Sequence, residues 1–317
     1  MTLQPTHDQL AIRGAPDRAS PKSPAPRFRQ GTGLAIGMTA PAVLVVAVLI
    51  LLPLALSVWL SLYDWKLLDM NKPKAWAGLG NYLRLFTDPA LRTALGNTIM
   101  FVVGSVSVEL VLGFIIALAL FNITAGRKLA NAIVLLPMII TPVITALLWR
   151  YLLDPQFGLV AQTLTLFGGK GIDVWGSSAL ALPGLMLVDV WQWTPFVILV
   201  LHAGMLGIPP EQFEAAAIDG AGQIRLALSI ILPAVMPQIL LVLLFRTMDT
   251  YRIFDTVFVL TRGGPGTSTE TLGLYTYRTG FSYTDMGYAM ALSLLILVTV
   301  AVISSVYIRL LKREGML

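Results

Sequence analysis

An all-α protein that crosses a membrane six times is what this sequence encodes, and two observations carry that reading: its composition, and six long apolar segments set apart by charged and turn-forming residues. Hydrophobic residues make up 56% of the chain and charged residues 12%, and the mean hydropathy is +0.77, far too apolar for a soluble domain of this length. A helix crossing the hydrocarbon core needs about 20 mostly apolar residues. The segments at roughly 33–62, 94–121, 129–153, 179–206, 234–260 and 285–311 meet that requirement.

The elements follow in order. Residues 1–32 hold Pro16, Pro21, Pro24 and Pro26 among polar residues and are expected to be a disordered tail. The first apolar segment is too long for the core of a signal peptide, and no small-residue cleavage site follows it, so it reads as a retained span. Arg27 and Arg29 precede that span, Arg127 and Lys128 fill the loop before the third without any acid, and Arg309, Lys312 and Arg313 close the sixth. By the distribution of Lys and Arg these sides face the cytoplasm, which puts both termini, including residues 312–317, on the inner side. The loop after the first span carries Lys66, Lys72, Lys74, Arg84 and Arg92 against that bias, so the short inner loop and the termini decide the orientation.

Pro137 and Pro142 in the third span and Pro195 in the fourth free backbone groups that lipid cannot satisfy. Each marks either a break facing protein or a cavity, or a simple packing kink. The segment 207–237 between the fourth and fifth spans reads as two short inner helices. Pro209 and Pro210 suit a helix start, Glu211 and Glu214 complement its positive end, and Ala215 to Ala217 favour helix, while Gly220 and Gly222 stop it. A second helix runs from Gln223 to about Ile231, before Pro233 and Pro237. An exposed helix-turn-helix of this kind is a docking surface.

The composition also excludes whole classes. The net charge of +5 would suggest a nucleic-acid partner if the basic residues formed a stripe interleaved with aromatics, but many sit beside apolar runs. Without cysteine there is no thiolate metal site or cysteine nucleophile, and two histidines, His7 and His202, make a histidine-built metal site improbable. No paired carboxylates, metal-ligand cluster or serine elbow marks a membrane-embedded enzyme, and neither catalytic nor metal residues are expected.

The inner loop carries a motif: E-A-A-A-I-D-G from Glu214 to Gly220, then nine residues, then Ile230, Leu232 and Pro233. This resembles the EAA loop of binding-protein-dependent ABC importer permeases. A second stretch, T-R-G-G-P-G from Thr261 to Gly266 followed by Thr271, Leu272, Tyr275 and Tyr277, resembles the maltose-permease-type first subunit of the carbohydrate group. With N-Y-L-R-L-F at Asn81 to Phe86 and W-R-Y-L-L-D-P at Trp149 to Pro155, the resemblance covers nearly everything after residue 33. It implies the type I ABC importer permease fold in a bacterial cytoplasmic membrane. It also implies that Glu214, Ala215, Ala216, Asp219, Gly220 and Pro233 couple the chain to a cytoplasmic ATPase subunit. Leu226 departs from the aromatic residue many members carry at its position.

Polar groups within the spans are costly and mark candidate function. In the fourth span Asp189, Gln192, Trp193 and Phe196 recur at i, i+3, i+4 and i+7, and in the fifth Arg246, Asp249, Thr250 and Ile253 repeat that spacing. Carboxylates, amide and hydroxyl can hydrogen-bond a sugar's edges, and aromatic rings cover its C–H faces. The resemblance places the family's sugar contacts at the same aligned positions, with different residue types. Two readings of the charges stand: Arg246 faces the cavity and favours an anionic sugar, or Asp249 neutralises Arg246 or Arg252 while Asp189 pairs with another span. Glu109, Arg150 and Asp154 are assigned packing or snorkelling roles.

No Walker A pattern is present, since Gly168-Gly169-Lys170-Gly171 lacks both the leading glycine and the following Ser or Thr. No cofactor is expected on this chain, because ATP and Mg would sit on separate ATPase subunits. Outer loops of about 25 to 30 residues are too short for a capture domain. The resemblance supplies the missing parts: a second, homologous permease subunit, two ATPase subunits and an extracytoplasmic solute-binding protein, with lipid around the spans. The expected function is uptake of a sugar or sugar derivative by alternating access. An ion-gradient-driven secondary transporter is the alternative, although such proteins usually show paired repeats, and no convincing repeat is found in this sequence.

Overall fold

The computed structural model describes residues 32–69, 74–123 and 126–313. The expected disordered tail lies, up to residue 31, outside the described residues, as do Arg27, Arg29, Lys72 and residues 314–317. The chain divides into two compact units, Met1–Leu54 and Ala55–Leu317. Helix α1 (Thr32–Ser61) runs from the first into the second and keeps its apolar side chains exposed from Met38 to Leu52.

In the second unit, strand β1 (Tyr63–Asp64) pairs antiparallel with β2 (Ala75–Trp76), placing Tyr63 opposite Trp76. Helix α2 (Gly80–Thr87) leads into α3 (Pro89–Asn122). Asp88 begins α3 as an N-cap, its Oδ1 accepting from the amides of Ala90 and Leu91, with Pro89 in the first turn, where a missing N–H costs nothing. α3 packs closely along α7 (Ala181–Leu206), and Gly113 permits the approach: a Cβ there would lie 2.5 Å from Val197 Cγ1.

The expected third span is two helices, α4 (Arg127–Ile139) and α5 (Pro142–Leu152), bent by 94°. The cause is local: Pro142 has no N–H to offer, and the residue before a proline is pushed to extended backbone. Thr141 has ψ 145° and Ile140 ψ 135°. The carbonyl of Ile140, freed by the break, accepts from Gln192 Nε2 of α7 at 2.8 Å. Pro195, by contrast, sits inside an unbroken α7.

After α6 (Leu159–Leu166) and α7 come the short loop helices α8 (Pro210–Ile218) and α9 (Gln223–Leu226), the latter continuing through a wider turn at Ala227–Ile231 into α10 (Leu232–Ala234). A 67° bend at Val235 then opens α11 (Met236–Tyr251). The expected fifth span, 234–260, is thus interrupted at Arg252–Phe254 before α12 (Asp255–Leu260). The carbonyl of Ile253, left free by this second break, accepts from Thr271 Oγ1 at 3.1 Å.

The T-R-G-G-P-G turn follows, tied to α3 by Asn97 Nδ2, which donates to the carbonyls of Thr267 at 2.8 Å and Glu270 at 3.1 Å. Helix α13 (Leu272–Tyr277) leads to α14 (Met286–Arg313), the last long apolar helix. Among the described residues four helices are long and apolar enough to cross a membrane, and up to six crossings result when each bent pair counts as one.

Three apolar clusters hold these elements together. Val197, Leu201, Ile231 and Val242 centre one that joins α3, α7, the loop helices and α11. Leu91, Tyr275, Tyr288 and Leu292 centre a second between α3, α13 and α14. Phe101, Leu185, Val257 and Leu274 centre the third.

Candidate functional site

The two spaced polar sets on α7 and α11 meet. Arg246 is 2% exposed and lies at the centre of a buried ion cluster. Its Nε donates to Glu109 Oε2 at 2.6 Å, and its Nη2 donates to Glu109 Oε1 at 2.7 Å and Asp189 Oδ2 at 2.8 Å. Nη1 donates to Asp249 Oδ2 at 3.1 Å. Four of the five guanidinium N–H groups are thereby held by carboxylates on three helices. The guanidinium carbon also lies 5.1 Å from the centre of the Trp193 ring.

This geometry corrects two expectations. Glu109 is fully buried in a bidentate pair with Arg246 and does not snorkel. Arg246 does not face the cavity as a free cation, because three carboxylates occupy its donors. The second reading of the charges holds instead: Asp249 neutralises Arg246 at i, i+3, and Asp189 pairs with another span through that same arginine, 57 positions away.

Beside the cluster is a cavity of about 220 Å³. Five of the eight residues expected to contact substrate line it: Asp189, Trp193, Asp249, Thr250 and Ile253. The Oγ1 of Thr250, although buried, has no hydrogen-bond partner. Three of the eight lie elsewhere. Arg246 stands behind the wall, Gln192 donates to the Ile140 carbonyl of the broken span, and Phe196 packs edge-on against Phe245 with ring centres 6.4 Å apart. The cavity adds Arg252, Phe254 and Asp255, which the i, i+3, i+4 pattern could not reach because the helix is interrupted there. A neighbouring cavity of about 250 Å³, walled by Phe254, Tyr277 and Phe281, is mainly apolar and has few partners for hydroxyl groups.

The inner loop has the opposite character. Glu214, Ala215, Asp219, Gly220 and Pro233 are exposed, while Ala216 is buried. Phe213 anchors α8, its ring centre 5.6 Å from that of Phe121 on α3. Gly220 takes φ +67°, a conformation that favours glycine, to end the helix. Ile218 and Ile224 are 87% and 77% exposed, an uncommon amount of apolar surface for a short connector.

Residues 109–313 match the model of the family described as "Binding-protein-dependent transport system inner membrane component". The chain belongs to that family. Among its relatives, the trehalose/maltose transport system permease protein MalF of Thermococcus litoralis is 35% identical over 86% of this chain and 91% of its own length. The sulfoquinovosyl glycerol transport system permease protein SmoG of Agrobacterium fabrum is 31% identical over 89% and 91%. A chain of the bacterial alginate ABC transporter, solved with its alginate pentasaccharide-bound periplasmic protein, shares the fold with a TM-score of 0.77 at 22% identity over 89% of this chain and 95% of that one. The protein is therefore a multi-pass inner-membrane permease of a binding-protein-dependent ABC importer, with the type I permease fold.

Proposed function

We propose that this permease carries a sugar, and that the cavity between α5, α7 and α11 is its passage. One observation carries the reading: an indole ring, three carboxylates and an unpartnered buried hydroxyl converge on one cavity at the bent spans. That combination suits a ligand with hydroxyl edges and apolar C–H faces. The carbohydrates in the relatives' names support the same class.

The chain pairs with a second, homologous permease subunit, two cytoplasmic ATPase subunits and an external solute-binding protein, with both termini in the cytoplasm. ATP and Mg belong to the ATPase subunits, and this chain supplies no catalytic or metal-binding residue. Glu214, Ala215, Ala216, Asp219, Gly220 and Pro233 form the coupling surface, supported by the exposure of five of them and of Ile218 and Ile224 beside them. Closure of the ATPase pair draws the coupling loops of the two permease subunits together and turns the cavity outward, and hydrolysis reverses the motion. Such coupling requires that ATP and the loaded binding protein favour the same global state.

The test is ATPase activity of the co-purified assembly in lipid nanodiscs with its binding protein, across a panel of sugars. Stimulation by one loaded binding protein is expected. Activity that ignores every loaded form, in an intact complex, refutes the reading and returns the ion-driven transporter to favour.

A further inference from the structure

The cavity wall carries more carboxylates than guanidinium groups can offset. Asp189, Asp249 and Asp255 line it, against Arg252 alone. Behind the wall, Arg246 is matched by Glu109 and already engaged by Asp189 and Asp249. Even with one buried carboxyl protonated, acids outnumber arginines by three to two among these six groups. Arg252 is not a free cation either: its Nη2 lies 3.6 Å from Asp249 Oδ1. Asp255 is exposed and begins α12, where its charge is favoured by the helix end.

We infer that Asp255, with Asp249 and Asp189, forms an acidic wall that admits electrically neutral sugars and rejects their anionic counterparts. The inference rests on the sugar-permease reading and adds the charge of the cargo. A carboxylate accepts hydrogen bonds from a neutral hydroxyl at no electrostatic cost, whereas a phosphate or carboxylate on the sugar meets like charge in a partly dehydrated space. The names of relatives, which range from trehalose and maltose to sulfoquinovosyl glycerol and alginate, do not decide the point. The charges on this wall do.

The experiment uses the full permease–ATPase assembly, trapped with ATP and vanadate in nanodiscs without its binding protein, so that the binding protein's own selectivity does not enter. Saturation-transfer NMR titrations compare matched pairs: trehalose with trehalose 6-phosphate, maltose with maltobionate, glucose with glucuronate. The neutral member is expected to bind at least about tenfold more tightly wherever either binds. Asp255→Asn, at an exposed position where the isosteric amide keeps the side chain's shape, narrows that ratio by about fivefold, the size of a unit-charge effect across several ångströms of partly wet cavity. Asp249→Asn narrows it further. Equal or tighter binding of the anionic member, or a ratio unmoved by both substitutions, overturns the acidic wall and leaves the sugar-permease reading standing. Binding of no sugar in any pair overturns both.

Discussion

The ion cluster around Arg246 and the inner loop around Glu214 hold the same kinds of charged residue in opposite circumstances. In the cluster, Glu109, Asp189 and Arg246 are withdrawn from solvent and matched within this chain. In the loop, Glu214 and Asp219 stand exposed on a short helix beside exposed Ile218. Buried charge that finds its partners inside the chain serves the chain's own architecture. Exposed charge beside exposed isoleucine is what the proposed coupling surface would need to meet another chain.

Substitutions can break that contrast, and the largest effect is expected in the cluster. Arg246→Met keeps the volume and removes the cation, leaving Glu109 and Asp189 buried without their partner. Breaking one side of a buried pair costs about 3–5 kcal/mol, so the assembly should accumulate poorly and melt earlier in a fluorescence-detected thermal assay. Wild-type yield and melting would show that the cluster does not hold the three helices. In the loop, Glu214→Lys should reduce uptake to background while yield and melting stay at wild-type values. Gly220→Asp should also reduce uptake to background, with a small drop in melting because Gly220 holds φ +67°, and normal uptake in either variant would remove the coupling assignment.

Smaller effects sharpen the comparison. Gln192→Leu leaves the Ile140 carbonyl of the bent span without its donor, a loss of about 1–3 kcal/mol to be read as a modest drop in thermal midpoint. The smallest is a pH effect at the N-terminal end of α3. Burial alone would raise the carboxyl of Asp88, but the hydroxyls of Tyr275 and Tyr288 and the amides of Leu91 and Ala90 outweigh it and hold the group below the usual carboxylate range. A depressed carboxyl contributes stability that is complete above its unfolded value and lost as pH falls through the folded one. Melting midpoints should therefore decline on acidification below the ordinary carboxylate range, and Asp88→Asn should flatten that decline.

Most of the fold was legible because hydropathy is local: α1, α3, α7 and α14 each fall on an expected span. The bends were only half legible. Pro137 and Pro142 marked where the third span would fail, but not that α5 would leave at 94°, because the acceptor it frees is satisfied by Gln192 from another helix. The candidate site divides along the same line. Asp249 could be set beside Arg246 by i, i+3 spacing, while Glu109 could not. One signal was available: a single acid within the apolar run of α3 and a single base within that of α11 are costly alone and cheaper together. Asp255 escaped notice because no helical period continues through an interrupted helix.

The bend at Val235 makes α11 a lever. Sixteen residues at about 1.5 Å each give a rod roughly 24 Å long, with the inner loop at one end and the cavity at the other. A pivot of about ten degrees at the end next to the loop would carry Tyr251 through roughly 4 Å and Arg246, ten residues along the rod, through roughly 2.6 Å, enough to stretch each of its hydrogen bonds past bonding distance. Under the proposed alternating access, the guanidinium is a toll on any such swing: α3 and α7 would have to travel with the rod, or its grip on their carboxylates would have to be released.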